Sequence, residues 1–214
     1  MSGQRACAVL GGLVIFSACL ASQPAHAEGF AVAVEGGYYD MTNARNSAEA
    51  IFGGGAGGAT FGLFARTGLG RSLFVGAGAR MFQKTGERAF AADKDSPAFR
   101  LGHPLEMRIL PVYALVGYRV APDAALQPYL GLGVGFTSYR EESTVAGEVF
   151  EESASKPSFH GVFGLEYGRG TVRFALEGMY MTVPSIIGES GISRVYEEDD
   201  VGGFSVVGRI VLVP

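Results

Sequence analysis

Three groups of residues in this sequence have the types and spacing from which chemistry is built. Ser158 and His160 stand at i and i+2, on one side of an extended segment, with Glu166 further along the same side. A hydroxyl, an imidazole and a carboxylate in that order are the parts of an activated nucleophile for acyl transfer. No supporting motif surrounds them, and the other histidine of this region, His103, lies in a different segment, so the pair reads as a polar contact inside a fold. Carboxylates form the second group: Glu141, Glu142, Glu148, Glu151, Glu152 and the run Glu197-Glu198-Asp199-Asp200. Their density suits divalent cations, but neither EF-hand spacing nor a fixed-turn glycine accompanies them, so they read as solvated acidic loops. The third group, Gly53-Gly54-Gly55-Ala56-Gly57-Gly58, has no following Lys-Ser/Thr. With no helix to follow it either, it is no phosphate loop and reads as a flexible entry to a strand. No cofactor motif emerges.

The elements that position these groups are strands. In 214 residues there are 33 glycines, 48% hydrophobic residues and 18% charged residues, too apolar for disorder and without the period of collagen. With 17 Lys+Arg against 21 Asp+Glu there is no basic excess for nucleic acid. Period-two segments separated by Gly, Pro, Asp and Ser clusters predict strands over 30–40, 58–67, 73–82, 105–119, 127–140, 158–167, 171–182 and 203–213. No stretch carries a helical apolar stripe. Short gaps (68–72, 120–126, 168–170) alternate with long ones (41–57, 83–104, 141–157, 183–202). In an antiparallel meander, all tight turns then fall at one end and all long loops at the other, as in outer-membrane barrels.

Strand length supports that reading, because segments of about 10 residues match a tilted bilayer crossing. One face of these strands is large and apolar, as in Leu130, Leu132, Val134 and Phe136; its opposite, Gly131, Gly133 and Gly135, is nearly bare. Extending this phase along the chain puts every charge on the second face: Glu35, Arg66, Arg80, Glu106, Arg108, Glu166, Arg173, Glu177 and Arg209. In a barrel that face is the lumen, which eight strands make just wide enough for side chains to fill. Nearly balanced Arg and Glu would pair there into a structural plug, with a narrow path for ions or small solutes as the alternative. Both faces are apolar after Leu110, so Pro111 is read as a bulge that reverses the phase, and Tyr113 and Tyr118 are left unassigned. Tyr38, Tyr39, Tyr129, Tyr139, Tyr167 and Tyr180 fall near strand ends, where headgroup-level rings are favoured.

The first 27 residues read as a cleaved secretory leader: Arg5, an apolar stretch over 6–21, then Ala25-His26-Ala27 before Glu28. Residues 28–214 are then one barrel domain without cysteine. In the competing reading, Phe16-Ser17-Ala18-Cys19 is a lipobox and the protein is a lipidated or soluble periplasmic β protein.

The strand Pro128-Tyr129-Leu130-Gly131-Leu132-Gly133-Val134-Gly135-Phe136, with Pro111-Val112-Tyr113 and Gly117-Tyr118-Arg119 before it, resembles the corresponding strands of small OmpA/OmpX-like outer-membrane β-barrel proteins. The resemblance implies an eight-stranded antiparallel up-and-down barrel, short periplasmic turns, long extracellular loops and a non-enzymatic envelope role. The expected surroundings are outer-membrane lipid and lipopolysaccharide, with an extracellular partner reached through the acidic loops. A monomer is expected.

Overall fold

The computed structural model describes residues 29–214; the expected leader, with Ala25, Ala27, Glu28 and the lipobox Cys19, lies outside the described residues. Eight antiparallel strands follow one another in chain order around a closed barrel. They are β1 (Phe30–Asp40), β2 (Gly57–Gly68), β3 (Leu73–Phe90), β4 (Phe99–Arg119), β5 (Leu126–Val145), β6 (Glu148–Tyr167), β7 (Val172–Thr182) and β8 (Gly203–Leu212). Closure is made by β1, which pairs with β2 from Phe30↔Thr67 to Asp40↔Gly57 and with β8 from Val32↔Leu212 to Asp40↔Phe204.

Side chains that point out of the ring form a continuous apolar band. It includes Val32 and Val34, Phe61 and Leu63, Val112 and Val116, Leu130 to Phe136 at alternate positions, Phe159 and Phe163, Phe174 and Leu176, and Ile210 and Leu212, all exposed. Exposure of this many large apolar groups in one belt is a lipid surface. Its outer limit is sharp: the next outward positions are Gln83, Arg108, Ser138 and Pro157, all solvent-facing. At the other end the short turns carry Arg71 paired with Asp123. Tyr38, Tyr118, Tyr167 and Tyr180 lie on the outer surface, whereas Tyr39, Tyr113, Tyr129 and Tyr139 point inward and are buried.

The central strands do not stop at the lipid limit. The gaps expected over 83–104 and 141–157 are mostly strand, with only 91–98 and 146–147 as connections. Together β3 to β6 rise out of the membrane as a four-stranded sheet, with β4 running on for roughly 35 Å beyond Leu110. This explains two corrections. Within β4, burial alternates without a break from Leu105 to Arg119, so Pro111 reverses nothing; the register shift of the β3–β4 pair lies between Glu87 and Ala89 instead. Glu106 and Arg108, expected among the lumen charges, therefore point outward, where they pair at 3.2 Å. Above the lipid limit water covers the outer face and the inner face packs, so the meaning of the alternation inverts.

What the inner face packs against is a cap. A 3-10 turn (Thr42–Ala44) leads into helix α1 (Arg45–Phe52), and the last long loop carries α2 (Gly191–Val195). Neither helix was expected. Ala44, Ala48 and Ile51 have helical spacing and are buried with Met41, Leu105, Met107, Val183, Ile186, Ile192 and Val201. The α1 stripe is two turns long and built on alanine, which leaves little periodic signal in the sequence. Gly53, in the left-handed region at φ 66°, ends the helix.

Inside the membrane the bare face proves to be crowded. Rings lie flat across facing glycines: a Cβ on Gly164 would stand 2.4 Å from the Tyr129 ring, and one on Gly117 2.1 Å from that of Phe74. At Gly133 and Gly135 it would meet the β4 backbone at 2.6 and 2.3 Å. These glycines admit aromatic rings and a close neighbouring strand. Gly164→Val should lower barrel stability by about 1–3 kcal/mol through overpacking, read as a lower urea midpoint in detergent micelles; an unchanged midpoint would show that the ring gives way freely.

Candidate functional site

Two charged clusters fill the lumen. In the upper one, alternate inward positions of β1, β3, β7 and β8 bring Glu35, Arg80, Glu177 and Arg209 together, all buried. Glu35 accepts from Arg80 Nε at 2.5 Å and from Arg209 Nε at 2.6 Å. Glu177 accepts from Arg80 Nη2 at 2.6 Å, from Arg209 at 2.5 and 2.7 Å, and from Tyr129 Oη at 3.0 Å. Each guanidinium thus bridges both carboxylates and the quartet is neutral. Arg80 also donates to Ser205 Oγ at 2.9 Å, and Arg209 lies over the Phe64 ring at 4.3 Å. Reciprocal bidentate bonding of this kind offsets the desolvation that a buried ion otherwise carries.

The lower cluster sits near the short turns. Arg66 grips Glu166 with both terminal nitrogens, at 2.6 and 2.8 Å, and Arg173 reaches the same carboxylate at 3.1 Å. Arg119 is buried beside them, 5.0 Å from the Phe74 ring. Arg119 and Tyr113 are lumen groups that the sequence pattern misses, because it sets Glu106 and Arg108 inward and leaves the side of β4 beyond Pro111 undecided. Apolar side chains such as Ala33, Phe64, Leu115 and Met179 fill the remaining space.

The serine, histidine and acid do not form a catalytic set. Ser158 Oγ lies 2.9 Å from His160 Nε2, but both are buried in the lumen and the His160 ring packs against Tyr113, centroids 4.8 Å apart. Glu166 is six positions away along β6, on the order of 20 Å, and is bound by Arg66. Among the described residues no group bonds to His160 Nδ1, where a triad needs its acid.

The acidic run is likewise not a solvated loop. Glu198 accepts the backbone N–H groups of Asn46 and Ser47 at 3.0 and 2.9 Å, capping the first turn of α1 from a distant loop. Asp200 accepts from the N–H groups of Val183 and Gly202 at 2.7 and 2.6 Å and from Asn43 Nδ2 at 2.9 Å. Tyr39 Oη donates to the Val201 carbonyl. These bonds knit the first and last outer loops into one lid over the barrel. Among the described residues no group of three or more metal-ligating side chains assembles.

Comparison with known proteins supplies what geometry alone does not. The sequence profile described as "Outer membrane protein beta-barrel domain" matches residues 11–204. The chain belongs to that family. Its fold is similar to that of Neisserial surface protein A (NspA), at 12% identity, 88% coverage of this chain, 99% of that one and a TM-score of 0.59. It is similar also to a major outer membrane protein of Thermus thermophilus, at 11% identity, 87% and 99% coverage and a TM-score of 0.53. OprG of Pseudomonas aeruginosa follows at 14% identity, 87% and 93% coverage and a TM-score of 0.51. Comparison with curated protein sequences gives no significant match. The protein is thus a small barrel of the outer membrane, in the kind of family that the OmpA/OmpX-like resemblance implied. Its short turns face the periplasm and its sheet extension faces the exterior.

On that extension one carboxyl is perturbed. Glu141 points inward opposite Glu152 on β6. Burial, reinforced by the Glu152 charge, pushes the Glu141 carboxyl above the usual carboxylate range, against a 2.6 Å hydrogen bond from Tyr139 Oη.

Removing Glu177 leaves two buried guanidinium groups facing one carboxylate, so Glu177→Ala should cost about 3–5 kcal/mol in micelle unfolding. Arg173→Ala, at the more open end, should cost about 1 kcal/mol or less; equal losses would contradict the layering. For Glu141, a folded value above the unfolded one means that its penalty is present at neutral pH and is relieved as pH falls through the folded value. Glu141→Gln should therefore raise stability at pH 7 and flatten its pH dependence down to the ordinary carboxylate range. A variant that is less stable at pH 7 would reverse that sign.

Proposed function

We propose that this barrel is a closed, non-conducting scaffold that presents a rigid β-sheet at the cell surface for interaction with an extracellular partner, as a monomer seated among lipid and lipopolysaccharide. The observation that carries this reading is the division of the molecule at the lipid limit. Below it, the charge quartet, the Arg66–Glu166 cluster and packed rings occupy the bore. Above it, four of the eight strands continue, held upright by an apolar cap core. A channel has no use for a lid fastened by Glu198 and Asp200, whereas a binding platform gains from rigidity, because a preorganised surface loses little entropy on association.

The neutral lumen fits a structural role. Paired buried ions exclude water and fix the ring's cross-section, while the extension varies independently of the spanning ladder. In planar bilayers the purified protein should give no discrete conductance steps. Replacing residues 84–104 and 142–153 by tight turns should leave heat-modifiable gel migration intact and abolish adhesion of cells carrying the protein to protein-coated surfaces. Regular conductance steps, or adhesion unchanged by truncation, would overturn the reading.

A further inference from the structure

The extension of β3 to β6 is an open sheet and so has two edges, which are treated differently. The β3 edge is covered: Lys84 Nζ donates to the Gly55 and Gly57 carbonyls at 2.8 and 2.6 Å, and a Cβ on Gly86 would meet the Ile51 carbonyl of α1 at 2.5 Å. The β6 edge is bare. Pairing with β7 ends at Phe159↔Thr182, and residues 148–157 pair only with β5. Among the described residues, no backbone hydrogen bond joins 148–157 to any other segment. Ser190 Oγ, at 3.1 Å from Glu152, touches only a side chain. Alternate residues along this stretch therefore turn unpaired backbone donors and acceptors to water beyond the lipid limit, Pro157 at its base lacking an N–H, in a protein that protects its other edge.

Charge on this edge is mostly negative. Glu141 faces Glu152 and Glu142 faces Glu151 in successive cross-strand pairs, one on each face of the hairpin, with Glu148 at the tip. Like charges directly opposite destabilise a strand pair. Arg140 relieves the outer pair, at 3.4 Å from Glu142 and 2.9 Å from Glu151; Lys156 stands near the base. Five carboxylates against two cations leave the hairpin acidic. Val149 and Phe150, 62% and 49% exposed, lie among these charges.

We infer that the free edge of β6 over residues 148–157 is a docking strand for an extended, lysine- or arginine-rich polypeptide segment, which adds to the sheet as a further antiparallel or parallel strand. Backbone hydrogen bonds supply the attachment, the glutamates select a basic strand over an acidic or neutral one, and Val149 and Phe150 contact its apolar side chains. The same carboxylates oppose pairing of two copies of this chain edge to edge. This inference rests on the proposed surface-interaction role and names the partner class for it.

The test uses the full barrel in micelles and a nine-residue peptide of alternating lysine and valine, with amide hydrogen exchange as the readout. Exchange should slow at 148–157 and nowhere on β3. A peptide of the same sequence with alternate backbone nitrogens methylated, and a glutamate–valine peptide, should each bind more weakly by about tenfold or more. The doubly substituted E151K/E152K barrel, checked for heat-modifiable migration, should reverse the preference between the two charges. Equal binding of the methylated peptide would reduce the contact to charge attraction and overturn the inference. So would protection centred on 83–90, or protection of 148–157 that grows with protein concentration and needs no peptide. If no peptide binds while truncation of the extension still abolishes adhesion, the docking strand falls and the surface-interaction reading stands.

Discussion

Everything in this molecule depends on closure of the backbone ladder between β1 and β8. In hydrocarbon an unpaired peptide group costs several kcal/mol, so eight strands can cross a bilayer only if the first and last pair with each other. Closure then inverts the usual order of a globular protein. Large apolar side chains such as Leu132 and Phe136 belong outside, against lipid, and the residues left to fill the bore include four guanidinium groups and three glutamates.

Those buried ions are tolerable because the strand register delivers partners to one another. Glu35 and Arg209 are directly opposite across the β1–β8 closure, so the seam of the barrel is also where the quartet is joined. Aromatic rings complete the filling, each lying over a glycine on the neighbouring strand, as Tyr129 does over Gly164. High glycine content is thus the counterpart of the buried rings: a bore of fixed width accepts a flat side chain only where the facing position is bare.

Outside the membrane that constraint lifts and ordinary rules return. The inner face of the extension is apolar, the outer face polar, and the helices do what helices do in soluble proteins, burying a stripe of Ala44, Ala48 and Ile51. The acidic run over 197–200 shows how context changes the role of a charge. Glu198 caps a helix and Asp200 closes a loop, so residues that read as a solvated loop hold the lid down. Asymmetry remains between the two edges of the sheet, and it is this asymmetry that gives the exterior a direction.

Strand number and order were legible in the residues themselves, as was the strand face that carries Glu35, Arg66, Arg80, Glu166, Arg173, Glu177 and Arg209, whereas β3 to β6 run on by five to ten residues past the bounds expected for them. They rest on period-two alternation and on turn chemistry, both local properties of the chain. Glu106 and Arg108 were misplaced, the α1 and α2 helices missed, and Arg119 and Tyr113 left out of the lumen. Each of these depends on where the lipid stops, which no local pattern states: the same alternation means charge-in below that level and charge-out above it. By itself the sequence determined that this chain closes into an eight-stranded barrel. Only the tertiary structure decided which carboxylate meets which guanidinium, which acids fasten the lid and which edge stays open, because those outcomes depend on register between segments up to 174 positions apart.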